Sequence, residues 1–410
     1  MRPWQRLPRC LAAAAVVGAL GACATTTGPG ADRAYEVSAA WVAGRPAVAW
    51  YGGRLEHEAI YLRFADARGR PAGQAMQLSD ASRDAFEPSL QEINGDALVA
   101  WYEQEQATAP ALPRQVAMLG RFDRTGRRLW FRQLSSGGSS GRNPVVRVAG
   151  GVIHVAWIEQ RGDSQPAVNA ARLDAAGEWL RPPRSIAAAG RDTWNLNAAI
   201  GADGTFHVLF DAATATPAKE LRWVRVRDDA IDDLRASRED GFESAYPDIA
   251  FDGARYAVTW FDSRDGNSEV YLRCGRLDPS GAVPANLLLD DGEALRVTRT
   301  PAASTGAYVA WQEGRIVLAW IEGEGVHRAL WLQRFDRDCR PVDGARRVDG
   351  RGTEAGIPSL ATSAEGLLLA WNGQRGDPAA PAQDQGRPPS SVVLMEVSPT
   401  RPLSPSAAVR

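Results

Sequence analysis

The chain has 410 residues, with 47 Lys and Arg against 49 Asp and Glu, and a formal net charge of −2 at pH 7. So balanced a chain has no electrostatic footprint for nucleic acid, and its four cysteines are too few for a disulfide scaffold. Four scattered histidines (His57, His154, His207, His327), with no Cys-x-x-Cys or His-Glu-x-x-His pattern, supply no zinc site and imply no cofactor.

Residues 1–22 read as an export signal in three parts. Arg2, Arg6 and Arg9 form a basic start, and Cys10 to Leu20 is an apolar run rich in Ala and Val. That run is too short for a membrane span, which takes about 20 apolar residues. Small residues then lead through Leu20-Gly21-Ala22 into Cys23. The tetrapeptide resembles the bacterial lipobox. The resemblance implies cleavage before Cys23 and a membrane anchor of acyl chains, such as palmitate, on that residue. Each buried methylene contributes about 0.8 kcal/mol, so several chains hold firmly where one would be marginal.

Residue 24 is Ala rather than Asp, which by resemblance to Gram-negative lipoproteins implies sorting to the outer membrane, on its periplasmic or exposed side. Residues 23–33, small and polar after the cysteine, are expected to be a flexible tether. Losing the three signal arginines takes the net charge from −2 to −5.

From residue 34 to 410 one phrase recurs: a short apolar strand ending in Trp or a close variant. It reads Ala47-Val-Ala-Trp50, Leu98-Val-Ala-Trp101, His154-Val-Ala-Trp157, His207-Val-Leu-Phe210, Ala257-Val-Thr-Trp260, Val317-Leu-Ala-Trp320 and Leu368-Leu-Ala-Trp371. Each unit carries four strand signals, and the third and fourth are joined by an Asp-x-x-Gly hairpin: Asp66 to Gly69, Asp123 to Gly126, Asp174 to Gly177 and Asp278 to Gly281. Four short strands per repeat of about 50 residues predict an all-β chain, a seven-bladed β-propeller of four-stranded antiparallel blades. The marker aromatics are expected between blades, since one blade alone cannot bury both its faces. Blade one has its own first strand near Val37, and Ser406 to Arg410 fits the last strand of blade seven, so no interlocked closing blade is expected.

Two further expectations concern side chains. Cys274 precedes the repeated Asp278 by four residues, whereas Cys339 follows Asp336 by three. Four strand residues rise roughly 13 Å, beyond the ~7 Å Cα limit for a bridge, so the two are expected to be unbonded. The inter-blade loops and the turns between second and third strands share one face. They carry Arg83, Asp84, Arg142, Arg191, Asp192, Arg238, Glu239, Arg264, Asp265, Arg351 and Arg375, a mixed-charge mouth expected to bind a partner. Lys219 is the single lysine beside 46 arginines, a coding bias that makes any count of surface arginines less telling.

These repeats resemble sialidase-like bacterial propellers over the whole mature chain. Their hairpins carry Asp-x-x-Gly, as in Arg121-Phe-Asp-Arg-Thr-Gly126, one residue longer than the sialidase Asp-box; no Phe/Tyr-Arg-Ile-Pro motif is present. Fold kinship is implied; activity does not follow. The leading expectation is a lipid-anchored binding or scaffold module for an envelope protein or an acidic glycan, without hydrolase activity. One alternative is a sialidase-like glycoside hydrolase, for which Tyr246 with Glu243 and Asp248 is the best available group. The other is an outer-membrane assembly factor, by analogy of anchor and architecture.

Overall fold

The computed structural model describes residues 24–26, 34–54, 57–66, 71–105, 113–190, 192–213, 218–277, 288–324, 327–349, 353–375 and 390–397. They form seven antiparallel sheets arranged as a propeller, as the repeats predict. The first strands of the blades line a central channel: Tyr35–Val42, Asp84–Ile93, Ser139–Ala149, Leu196–Ile200, Ser244–Asp252, Ser304–Gln312 and Ser359–Ser363. The second strands carry the marker aromatics, all buried, from Trp50 to Trp371. Hydrophobic clusters span neighbouring blades; one joins Trp101 with Ile60 and Leu62, another Trp260 with Leu209 and Trp223. No single sheet owns its core.

Two repeated polar devices accompany this packing. A carboxylate two residues after the marker accepts the indole N–H: Trp101 donates to Glu103 at 3.0 Å, Trp157 to Glu159 at 2.7 Å and Trp260 to Asp262 at 3.3 Å. These buried acids satisfy a donor that would otherwise be stranded. The second device lies on the first strands, at the residue paired with the position before the marker. Ser359 Oγ accepts the Ala39 N–H at 3.0 Å, Ser38 Oγ that of Leu90 at 2.9 Å, and Ser89 Oγ that of Val146 at 3.2 Å. Asn197 Nδ2 donates to the Pro247 carbonyl at 3.0 Å, and Asp248 Oδ2 accepts from Val309 N–H at 2.9 Å. Each of these bonds staples one blade to the next beside the channel.

The Asp-x-x-Gly hairpins at Asp123 and Asp174 are Asx turns; those that begin at Asp66 and Asp278 run outside the described residues. Asp123 Oδ1 accepts the N–H groups of Thr125 and Arg127, and Asp174 Oδ1 those of Ala176 and Glu178. Gly126 and Gly177 take φ of 79° and 85°, a left-handed conformation that glycine adopts without strain. Each hairpin also lies against the preceding blade. A Cβ on Gly126 would come within 2.6 Å of Met76 Sδ, and one on Gly177 within 2.9 Å of the Trp130 ring.

That contact overturns the expectation of two free thiols. Cys339 fills the glycine slot of the hairpin beginning at Asp336, at φ 63°, and is bonded to Cys274 on the third strand of the preceding blade, Glu269–Arg276, with a Cα–Cα separation of 5.7 Å. The strand-rise estimate compared equivalent positions within a repeat. Neighbouring blades touch through unequal ones.

Closure is corrected as well. Ala24–Thr26 adds to the outside of the last blade, with Ala24 opposite Leu394 and Thr26 opposite Val392. The ring is therefore interlocked, and part of the stretch expected to be tether is a strand; Ser406 to Arg410 lies outside the described residues. Within that blade the first strand is split into Thr353–Ala355 and Ser359–Ser363, both paired with Gly366–Arg375.

Two outcomes follow. Ser89→Ala strands a buried backbone N–H and is expected to cost about 1–3 kcal/mol in urea unfolding. Ser185→Ala, at an exposed site, is expected to stay within about 0.5 kcal/mol; equal effects would contradict the staple. Mass spectrometry of non-reduced digests is expected to recover a 274–339 linked peptide, and two alkylated thiols would contradict the bridge.

Candidate functional site

The seven first strands enclose a cavity of about 900 Å³. Its mouth lies where these strands begin, on the face of the inter-blade loops. There the strand register slips in five blades, between Tyr35 and Val37, Phe86 and Ser89, Arg142 and Val145, Ala245 and Asp248, and Thr305 and Tyr308. A bulge of this kind adds an unpaired residue and re-aims its side chain. Glu87, Asn143 and Tyr246 hold these positions at φ of 53°, 50° and 54°, and all three line the cavity, as Glu36 does. Left-handed backbone at such residues costs roughly 1–3 kcal/mol each and persists only where the surroundings enforce it. Pro88, Pro144 and Pro247 follow directly, supplying no N–H to be left unpaired.

Glu36 and Glu87 come from adjacent blades, and each is half-buried. Burial pushes the Glu36 carboxyl up to about 7; burial and the Glu36 charge together push Glu87 well above the usual carboxylate range. The Trp194 indole donates to Glu87 Oε1 at 3.1 Å, and Asn143 Nδ2 donates to Glu87 Oε2. The buried Arg142 places its guanidinium 5.2 Å from the Trp194 ring centre and donates to the Thr193 carbonyl at 3.1 Å. Tyr35, Tyr51, Phe86 and Tyr102 follow in a ladder of ring contacts at 5.2–5.5 Å. Burial and the charges of both carboxylates raise the phenols of Tyr51 and Tyr102. Asp211, fully buried, accepts from Asn195 Nδ2 at 2.8 Å and from Tyr246 N–H at 3.1 Å, with Lys219 Nζ at 3.7 Å.

Of the expected binding face, Arg142 packs on the Trp194 ring beside this mouth without lining the cavity. The other described members tie neighbouring segments together. Arg83 pairs with Glu103 at 3.4 Å, Asp84 accepts the Glu58 N–H at 3.0 Å, and Asp192 that of Ala213 at 3.4 Å. Arg238 donates its backbone N–H to Asp290 at 3.1 Å, and Glu239 pairs with Arg235 at 2.8 Å. Arg264 bridges Asp262 at 2.6 Å and Asp290 at 3.0 Å, and Asp265 pairs with Arg296 at 3.0 Å. Arg191, Arg351 and the Arg375 side chain lie outside the described residues.

Among the alternative catalytic group, Tyr246 and Asp248 line the cavity, whereas Glu243 sits in the preceding loop with its N–H on Ser263 Oγ at 2.8 Å. Burial and the Asp211 charge raise the Tyr246 phenol, the reverse of what an activated nucleophile needs. Asp248, raised to about 6 by burial, serves as an inter-blade staple. His207 accepts the Trp223 indole N–H on Nδ1 at 3.0 Å and is held down to about 3 by burial, a neutral core group.

Glu36, Glu87 and Trp194 were absent from the sequence-derived site. A signal exists: Glu87-Pro88, Asn143-Pro144 and Tyr246-Pro247 lie within a first strand and Ile357-Pro358 directly before one, 13 or 14 residues before the marker aromatic.

No family model matches the chain, and no curated protein matches its sequence. Solved structures do. A Hadza microbial sialidase matches with a TM-score of 0.50 and 11% identity, over 86% of this chain and 73% of that one. An α-L-arabinofuranosidase from Fusarium graminearum matches with a TM-score of 0.52 and 14% identity, over 76% and 93%. Likeness at such identity shows the shared propeller fold alone.

The raised carboxyl has a signed consequence. Its stabilising effect is complete below the ordinary 4.5 and is lost as pH rises through about 7. Glu36→Gln removes that loss, so the melting-temperature difference, variant minus wild type, is expected to grow between about pH 4 and pH 8. A difference independent of pH would contradict the buried ionisation.

Proposed function

We propose that this chain is a binding propeller of the bacterial envelope, anchored through Cys23, whose ligand is a saccharide seated in the channel mouth. The observation that carries the reading is the convergence of Glu36, Glu87, Asn143 and Trp194 on one cavity, with the indole 40% exposed. Ligand pockets combine aromatic surface with a few fixed polar groups. A sugar presents both complements: C–H faces for an indole and hydroxyls for carboxylates and amides.

The envelope assignment rests on the lipobox-like Leu20-Gly21-Ala22-Cys23. The Cys274–Cys339 disulfide supports it, because such bonds persist in oxidising compartments outside the cytosol. The raised Tyr246 phenol weighs against sialidase-type chemistry, which needs an activated tyrosine and clustered guanidinium groups; among the described residues Arg147 is the one arginine that lines the cavity, with Arg142 against the Trp194 ring.

Cys23→Ser is expected to release the protein from membranes, and Trp194→Ala is expected to abolish binding on a glycan array while leaving the melting temperature within a few degrees. Unchanged fractionation would refute the anchor. Unchanged array binding would move the site elsewhere, and sialoside turnover lost in Tyr246→Phe would favour the hydrolase.

A further inference from the structure

Glu36 and Glu87 bring two carboxyl groups into one cavity, and among the described residues no Lys or Arg lies within ion-pair distance of either; the Arg142 charge acts on Glu87 from farther away. The nearby cations have other contacts: Arg147, which lines the same cavity, donates to the Val146 carbonyl at 2.8 Å. Lys219 faces Asp211, and Arg142 is taken up by the Thr193 carbonyl and the Trp194 ring. Removing carboxylates from water without a partner is costly, and the cost is met where a ligand supplies the opposite charge.

A second observation is independent of the acids. Asn143 Oδ1 is shielded from solvent and has no donor. The bond from Nδ2 to Glu87 fixes which way this amide faces. The mouth thus offers the Asn143 Oδ1 acceptor without a donor, beside the Glu36 carboxyl and beside Glu87, whose two oxygens already accept from Trp194 and Asn143.

We propose that the mouth selects the ammonium group of an amino sugar. An ammonium is a compact point charge with three N–H donors, matching three acceptors on three adjacent blades. Trp194 remains for the apolar face of the sugar ring. A divalent cation fits less well, since hard cations take six or more oxygens and no three His, Cys, Asp or Glu among the described residues are placed to hold one. The inference deepens the saccharide reading and rests on it. It replaces the acidic glycan expected from the loop arginines with a basic one.

The test is calorimetric titration of the full-length, detergent-solubilised protein with a β-1,4-linked glucosamine tetramer and with its N-acetylated counterpart. The free amine is expected to bind at least tenfold more tightly. Glu36→Gln and Glu87→Gln are each expected to erase that preference without lowering the melting temperature. Equal binding of the two tetramers would overturn the ammonium assignment and leave the saccharide reading standing. Binding of neither would overturn both. Tighter binding of tetralysine than of the amine tetramer would redirect the site to a protein partner. Calcium alone, binding in wild type and not in either Gln variant, would redirect it to a metal.

Discussion

Blade-to-blade contact is the constraint from which the rest follows. A four-stranded sheet of this size has two apolar faces and cannot bury either by itself, so every blade depends on both neighbours. The buried markers sit at these seams, and the indole N–H groups of Trp101, Trp157 and Trp260 are satisfied within the same strand by Glu103, Glu159 and Asp262. Those carboxylates therefore complete the core. Their arginine neighbours belong to the same account: Arg83 and Arg264 close over those acids.

The staples on the first strands give the channel its rigidity and, with it, the means to hold an unfavourable mouth. Left-handed backbone at Glu87, Asn143 and Tyr246, and two carboxylates raised by burial, each destabilise the ring locally. Bonds from Ser359, Ser38 and Ser89 flank this segment, from the last blade through the third. Strain concentrated beside a cavity, on a scaffold that over-determines it, is the arrangement expected of a site rather than of a lining.

At the rim the same dependence takes another form. The hairpins of the second and third blades rest their glycines on Met76 and Trp130 of the blades before them. Replacing glycine by Cys339 converts that contact into a covalent one to Cys274. The bridge falls between two blades whose fourth strands, Leu295–Arg296 and Arg346–Arg347, are two residues each, so it reinforces a seam with little outer sheet. Ala24–Thr26 closes the remaining seam by pairing across the ends of the chain.

The seven markers, the strand signals between them and the hairpins were legible in the amino-acid order, because alternation of apolar residues and turn chemistry are local properties with a regular period. Blade number and the burial of the tryptophans followed from these. What only the tertiary structure decided is every relation between residues of different blades. Cys274 and Cys339 meet because rotation about the ring axis places unequal repeat positions side by side, and Glu36 joins Glu87 because it also brings equal positions of adjacent blades to one mouth. The mouth itself depends on one-residue slips in register, and a slip reverses which face a side chain takes without altering the pattern that predicts the strand.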